Sequence, residues 1–113
     1  MKSYPPVLDV CCSIRAFWFN KTDSRAMYLD KREGRQAVNR PGRSDMVVSP
    51  DMLADFTELP FPDESFWHVV FDPPHLKNVG NGNIGFTYGR LSENWRDEYR
   101  KGFAECFRVL KQN

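Results

Sequence analysis

Short apolar runs that close on an aspartate, turn-rich connectors between them and one amphipathic helix near the end predict an α/β fold built on a parallel sheet. Val7-Leu8-Asp9, Ala26 to Asp30 and Phe66 to Asp72 show the pattern most clearly. In open parallel sheets, ligands bind beyond the carboxyl ends of the strands. The same alternation therefore predicts that Asp9, Asp30, Asp55 and Asp72 share one rim. For any one of them the preference of Asp for turns is explanation enough. The four together point to a site.

Each element has its own signal. Val7 to Val10 is a short apolar run after Pro5-Pro6, suited to a buried strand that ends near Cys11. Ala26 to Leu29 is a second strand, closed by Asp30. Gly34 to Pro41 carries glycine, proline and asparagine and is expected as a loop. Met46-Val47-Val48 is expected as a third short strand. Ser49-Pro50-Asp51-Met52 has the form of a helix or turn start, with Ser49 as cap and Pro50 at the first position. Leu59 to Asp63 is a turn-rich connector. Phe66 to Phe71 combines aromatic and β-branched residues and stops at prolines, which makes it the strongest strand. Asn78 to Gly89, rich in glycine and asparagine, is a second loop. From Ser92 a helix is expected nearly to the end, with Trp95, Tyr99, Phe103, Cys106 and Leu110 as its buried stripe.

A chain of 113 residues with 41% hydrophobic content is one small globular domain spanning 1–113, not a disordered tail, though short for an α/β enzyme. No apolar run reaches the roughly 18 residues of a membrane span, and Met1-Lys2-Ser3 does not open a secretory signal. The cytoplasm is the expected compartment. Cys11, Cys12 and Cys106 are odd in number and two are adjacent, which argues against a disulfide scaffold. Two adjacent cysteines and distant histidines do not make a zinc site, and no metal is expected. His68 inside its strand reads as structural, and Phe17-Trp18-Phe19 as packing.

Charge is nearly balanced at +1 but unevenly placed. Lys31, Arg32, Arg35, Arg40 and Arg43 form a basic segment opposed only by Glu33, a fit for any polyanion if it is more than a solvated loop. Ser44 to His75 contains no Lys or Arg, and its acids suit a cationic or hydroxyl-rich ligand.

Taken in order, four stretches resemble the motifs of class I S-adenosylmethionine-dependent methyltransferases. They are Val7-Leu8-Asp9-Val10-Cys11-Cys12, Tyr28-Leu29-Asp30, Asp55-Phe56 with Leu59 to Phe66, and Asp72-Pro73-Pro74-His75. Cys106 to Lys111 resembles the helix end that precedes a glycine turn and a fifth strand in that family. The resemblance covers essentially the whole chain and is greatest to small phage and prophage members.

The resemblance implies a Rossmann-like sheet of strand order 3-2-1-4 with S-adenosylmethionine along its rim. Asp9 and the turn Cys11-Cys12-Ser13 match the motif that approaches the methionine end. Asp30 matches the acid that accepts both ribose hydroxyls, and Asp55 with Phe56 matches the pair at the adenine. Asp72, Pro73, Pro74 and His75 match the catalytic motif. In nucleobase aminomethyltransferases this motif aligns an exocyclic amine with the sulfonium methyl, and its aromatic residue stacks on the extruded base. A strand ending in Asp-Pro-Pro suits that work, because the prolines hold a rigid extended turn and donate nothing.

Three departures accompany the match. His75 stands where the family has an aromatic residue, which leaves a protein amide or a small molecule open as acceptor. Ser13 stands where a glycine is the rule, and a Cβ at positive φ costs on the order of 1 kcal/mol and crowds the cofactor. The sequence stops at Asn113, where the family continues into further strands. The expectation is a truncated sheet with Phe66 to Phe71 as an unpaired edge, open to a second copy of the chain. The implied function is N-methylation of a nucleobase amine, with nucleic acid as partner. Its alternative is an inactive or cofactor-binding remnant that acts as an interaction protein.

Overall fold

A computed structural model of the chain describes residues 3–36, 46–75 and 91–112. The fold is α/β. Four short parallel strands form the main sheet in the order β5-β2-β1-β6, where β1 is Val7–Asp9, β2 Ala26–Asp30, β5 Met52–Leu53 and β6 His68–Val70. Val7, Leu8 and Asp9 pair with Ala26, Met27 and Tyr28 on one side and with His68, Val69 and Val70 on the other. Leu29 and Asp30 pair with Met52 and Leu53. A separate antiparallel pair joins β3, Gly34–Gln36, to β4, Met46–Val48. Among the described residues the α-helix is α1, Trp95–Val109. Among the described residues no helix is long and apolar enough to cross a membrane.

Two of these elements correct the sequence reading. Met46–Val48 is a strand, but it pairs with Gly34–Gln36, part of the expected loop, and not with the main sheet. The sheet's third strand is Met52–Leu53, in the stretch expected to start a helix. Asp51 explains the difference: its carboxylate accepts the Tyr28 amide N–H at 2.9 Å and its own N–H donates to the Tyr28 carbonyl at 2.7 Å. Those bonds draw the chain alongside β2 instead of letting it coil. The remainder of the expected loop, with Arg40, lies outside the described residues, as do Arg43 of the basic segment and the whole of Asn78 to Gly89.

Alternation along the strands sorts the two faces. Leu8, Val10 and Leu29 bury themselves with Phe56, Leu59, Phe61, Phe66 and Val109 in the main core. Tyr28, Ala26 and Cys12 form a smaller cluster on the opposite face, under Trp18. α1 covers the first face with Tyr99, Gly102, Cys106 and Val109. The expected stripe is thus rotated: Phe103 is 62% exposed, and Leu110 lies past the helix in extended conformation. Gly102 sets the rotation. A Cβ there would come within 2.7 Å of Phe56 and 2.8 Å of Phe71, so only glycine lets the helix lie on both rings.

Ser92 does not cap the helix directly. Asn94 occupies the cap position without a side-chain bond, while the Ser92 hydroxyl accepts the Asn94 N–H and donates to Glu98 at 2.6 Å. At the other end Arg108 fastens α1 to the connector before β6, donating to the carbonyls of Phe61 and Leu59 and pairing with Glu105 and Asp63. The edge expected to be unpaired is partly covered. Leu110 bridges Phe66 in parallel, and the Lys111 N–H donates to the Phe66 carbonyl at 2.7 Å. The strand itself is shorter than Phe66 to Phe71, because Trp67 and His68 both donate to the Pro6 carbonyl and interrupt the ladder.

Candidate functional site

All four main strands run the same way, so their carboxyl ends share a rim, and the four aspartates sit there. Asp9 ends β1 and Asp30 ends β2, while Asp55 and Asp72 each follow their strand, β5 and β6, by two residues. Asp9 and Asp30 are buried, Asp72 is half-buried and Asp55 is exposed.

Asp9 shapes the turn beyond its strand. Its carboxylate accepts the Trp18 indole N–H at 2.8 Å and is also bonded by the Cys11 amide. Burial pushes its pKa up to about 6; those two hydrogen bonds oppose the shift, and the charges of Asp72 and Asp30 reinforce it. Cys12 N–H donates to the Leu29 carbonyl at 2.7 Å, which carries the turn across to β2.

Ser13 follows with φ of 49°, in the left-handed region where glycine is favoured. It is buried, and its amide N–H donates to Asp30 Oδ2 at 2.8 Å. The positive φ expected at this position is therefore present, with a Cβ on it. Arg15 also has positive φ, 60°, and its guanidinium donates to the carbonyls of Lys21 and Ser49 while lying 3.8 Å over the Tyr28 ring. These contacts hold the connector between β1 and β2 in turns, without a helix.

Asp30 meets a residue that sequence reasoning left in an undifferentiated basic run. Oδ1 accepts the Arg32 backbone N–H at 2.9 Å and the Arg32 Nε at 3.4 Å, and Arg32 Nη2 donates to the Ser13 hydroxyl at 3.3 Å. The signal for this partner is the spacing Asp30-Lys31-Arg32, which suits a carboxylate that turns back on the amide two residues later.

Asp55 makes a similar turn, accepting the Thr57 amide and hydroxyl on Oδ1 at 2.9 and 2.8 Å. Burial raises its pKa, but these bonds and the Lys31 charge outweigh that, and the net direction is down. Phe56 is not laid open for stacking. It is 6% exposed and packs edge-on against Phe71, 5.2 Å between centroids. It also lines a small hollow with Lys31, Pro74 and Tyr99.

After β6, Phe71 anchors the chain against Phe103 and Phe56, and Asp72-Pro73-Pro74-His75 turns out over the rim. The Asp72 carboxylate takes no hydrogen bond from the described residues. His75 is exposed, its Nδ1 3.4 Å from the Pro73 carbonyl, and the Tyr99 hydroxyl donates to the Pro74 carbonyl.

The three cysteines are free thiols. Burial drives Cys11 well up, Cys12 up to about 12 and Cys106 up to about 11, so none supplies a thiolate near neutral pH. Two other sequence expectations fare differently. His68 is exposed in a shallow hollow with Pro6, Val7, Trp18 and Arg25, away from the rim. Of the three adjacent aromatics only Trp18 packs; Phe17 and Phe19 project into solvent, 69% and 109% exposed.

The rim thus offers carboxylate and carbonyl acceptors at several points, and among the described residues no group of side chains is placed to hold a metal ion. Comparison with family models, with curated proteins and with solved structures finds no match to this chain.

Proposed function

We propose that this chain is a class I methyltransferase-like domain that holds S-adenosylmethionine along the rim and methylates the exocyclic amine of a nucleobase. The observation that carries this is the placement of Asp9, Asp30 and Asp72 at the carboxyl ends of three adjacent parallel strands, with Asp72-Pro73-Pro74 beside the central one. The parallel sheet β5-β2-β1-β6, with β1 between β2 and β6, supports this reading.

The residues present fit such a cofactor. Asp30 keeps one acceptor position on Oδ2, and Asp55 leaves Oδ2 free of the bonds that fill its Oδ1. When bound, the cofactor supplies a methyl group on a sulfonium. Asp72 and the Pro73 carbonyl would accept from the two N–H bonds of the amine and aim its lone pair, and the prolines keep both acceptors fixed. The outer side of β6 between His68 and Val70, which takes no strand among the described residues, is the place for a second copy.

The alternative is a remnant that binds cofactor without turnover, or binds none. Arg32 on Asp30, the Cβ of Ser13 and the packed ring of Phe56 favour it. Incubation with methyl-labelled S-adenosylmethionine and unmodified DNA or RNA separates the two. Methylation should label an exocyclic amine and fall by about 10²-fold or more in Asp72→Ala, the scale of a lost positioning contact. Cofactor binding with no label in any nucleic acid would favour the remnant.

A further inference from the structure

We infer that Arg32 is an internal latch on the ribose position of the site, so that a nucleoside binds Asp30 only as the guanidinium withdraws. This rests on the methyltransferase reading and concerns how that same site is regulated. A vicinal diol binds a carboxylate best by donating one O–H to each oxygen. On Asp30, Oδ2 accepts the Ser13 N–H and keeps a lone pair, whereas Oδ1 already accepts two donors, the Arg32 N–H and Nε. One ribose hydroxyl has an acceptor; the other has none until Nε leaves.

The geometry makes Nε the bond that yields. The backbone N–H is held at 2.9 Å by the turn itself, but the Nε contact is 3.4 Å, longer than the roughly 2.7–2.9 Å of a strong charge-assisted bond. The Arg32 side chain is 22% exposed against 7% for Asp30, so the arginine can move toward water while the acid stays in place. Through Nη2 the guanidinium also reaches Ser13, and so spans from the end of β2 to the turn after β1. Asp30 retains both backbone donors, from Ser13 and residue 32, when the side chain at 32 is shortened.

The test is calorimetric titration of wild type, Arg32→Ala and Arg32→Lys with S-adenosylhomocysteine, with adenosine and with methionine, alongside thermal melts by circular dichroism. Arg32→Ala is expected to bind both nucleosides about three- to tenfold more tightly, the scale of one freed hydrogen-bond acceptor. Arg32→Lys should fall between it and wild type, which keeps the comparison available if the alanine variant does not fold. Methionine, which has no ribose, should respond to neither change. Unchanged or weaker nucleoside binding in the variants, with wild type binding, would overturn the latch and leave the methyltransferase reading intact. Absence of nucleoside binding by every folded chain would overturn that reading and the latch with it.

Discussion

The hydroxyl of Tyr99 donates to the carbonyl oxygen of Pro74, so the last helix holds the turn that ends the fourth strand of the sheet. The ring is itself fixed edge-on between Trp95 and Phe71. Tyr99→Phe keeps that packing and removes only the bond. It should cost about 1 kcal/mol in urea unfolding, the net value of one such bond. Amide exchange near His75 should quicken while exchange in β1 and β2 does not change.

Gly102 lies where α1 touches Phe56 and Phe71, with room for no Cβ. In an exposed helix Gly→Ala gains about 1 kcal/mol, but overpacking two rings costs roughly 1–3 kcal/mol or more. Gly102→Ala should therefore be destabilising in denaturant titration. Adding Phe56→Leu, which removes the nearest ring, should restore part of the loss.

Ser13 carries its side chain at φ 49°. Comparing Ser13→Gly with Ser13→Ala cancels the lost hydroxyl. The glycine variant should be the more stable by about 1 kcal/mol, the cost of a left-handed Cβ less the greater chain entropy of glycine. Equal midpoints would mean that the turn relaxes without strain.

Asp9 gives the fold a pH dependence of definite sign. Its pKa rises from 3.8 in the unfolded chain to about 6 when buried, so the folded state binds the extra proton between those values. Stability from this residue is complete below about pH 4 and is lost as pH rises through about 6. A displacement of about two pH units corresponds to roughly 3 kcal/mol. Melts of wild type should fall between pH 4.5 and 7.5 relative to Asp9→Asn, whose side chain does not titrate. Parallel curves would place the Asp9 carboxyl near its ordinary pKa.

The parallel sheet was legible because β1, β2 and β6 lie in apolar runs that stop at acids, and Asp9, Asp30 and Asp72 lie on one rim accordingly, whereas Asp55 reaches that rim through a strand that the pattern did not mark. What escaped detection had weak or misleading local signals. Met52–Leu53 is two residues long with no β-branched side chain, whereas Met46–Val48 has stronger β propensity and pairs elsewhere. Ser49-Pro50 resembles a helix start, but Asp51 is held by Tyr28, a partner distant in sequence. The helix stripe was misplaced because an apolar pattern gives no weight to Gly102, the residue that approaches the core most closely. Arg32 was hidden in a run of like charges; its pairing depends on where Asp30 and Ser13 meet. Phe56 was read as a ring for a ligand, and it is packed in the core.

Binding of S-adenosylmethionine is the premise on which the rest depends, and calorimetry on the 113-residue chain beside Asp30→Ala measures it most directly. One-site binding by wild type that vanishes in a folded Asp30→Ala is the result the proposal predicts, since it assigns the ribose acceptors to that acid at the end of β2. Equal binding by both chains would place the ligand elsewhere, and no binding by a folded wild type would contradict a cofactor site on this rim.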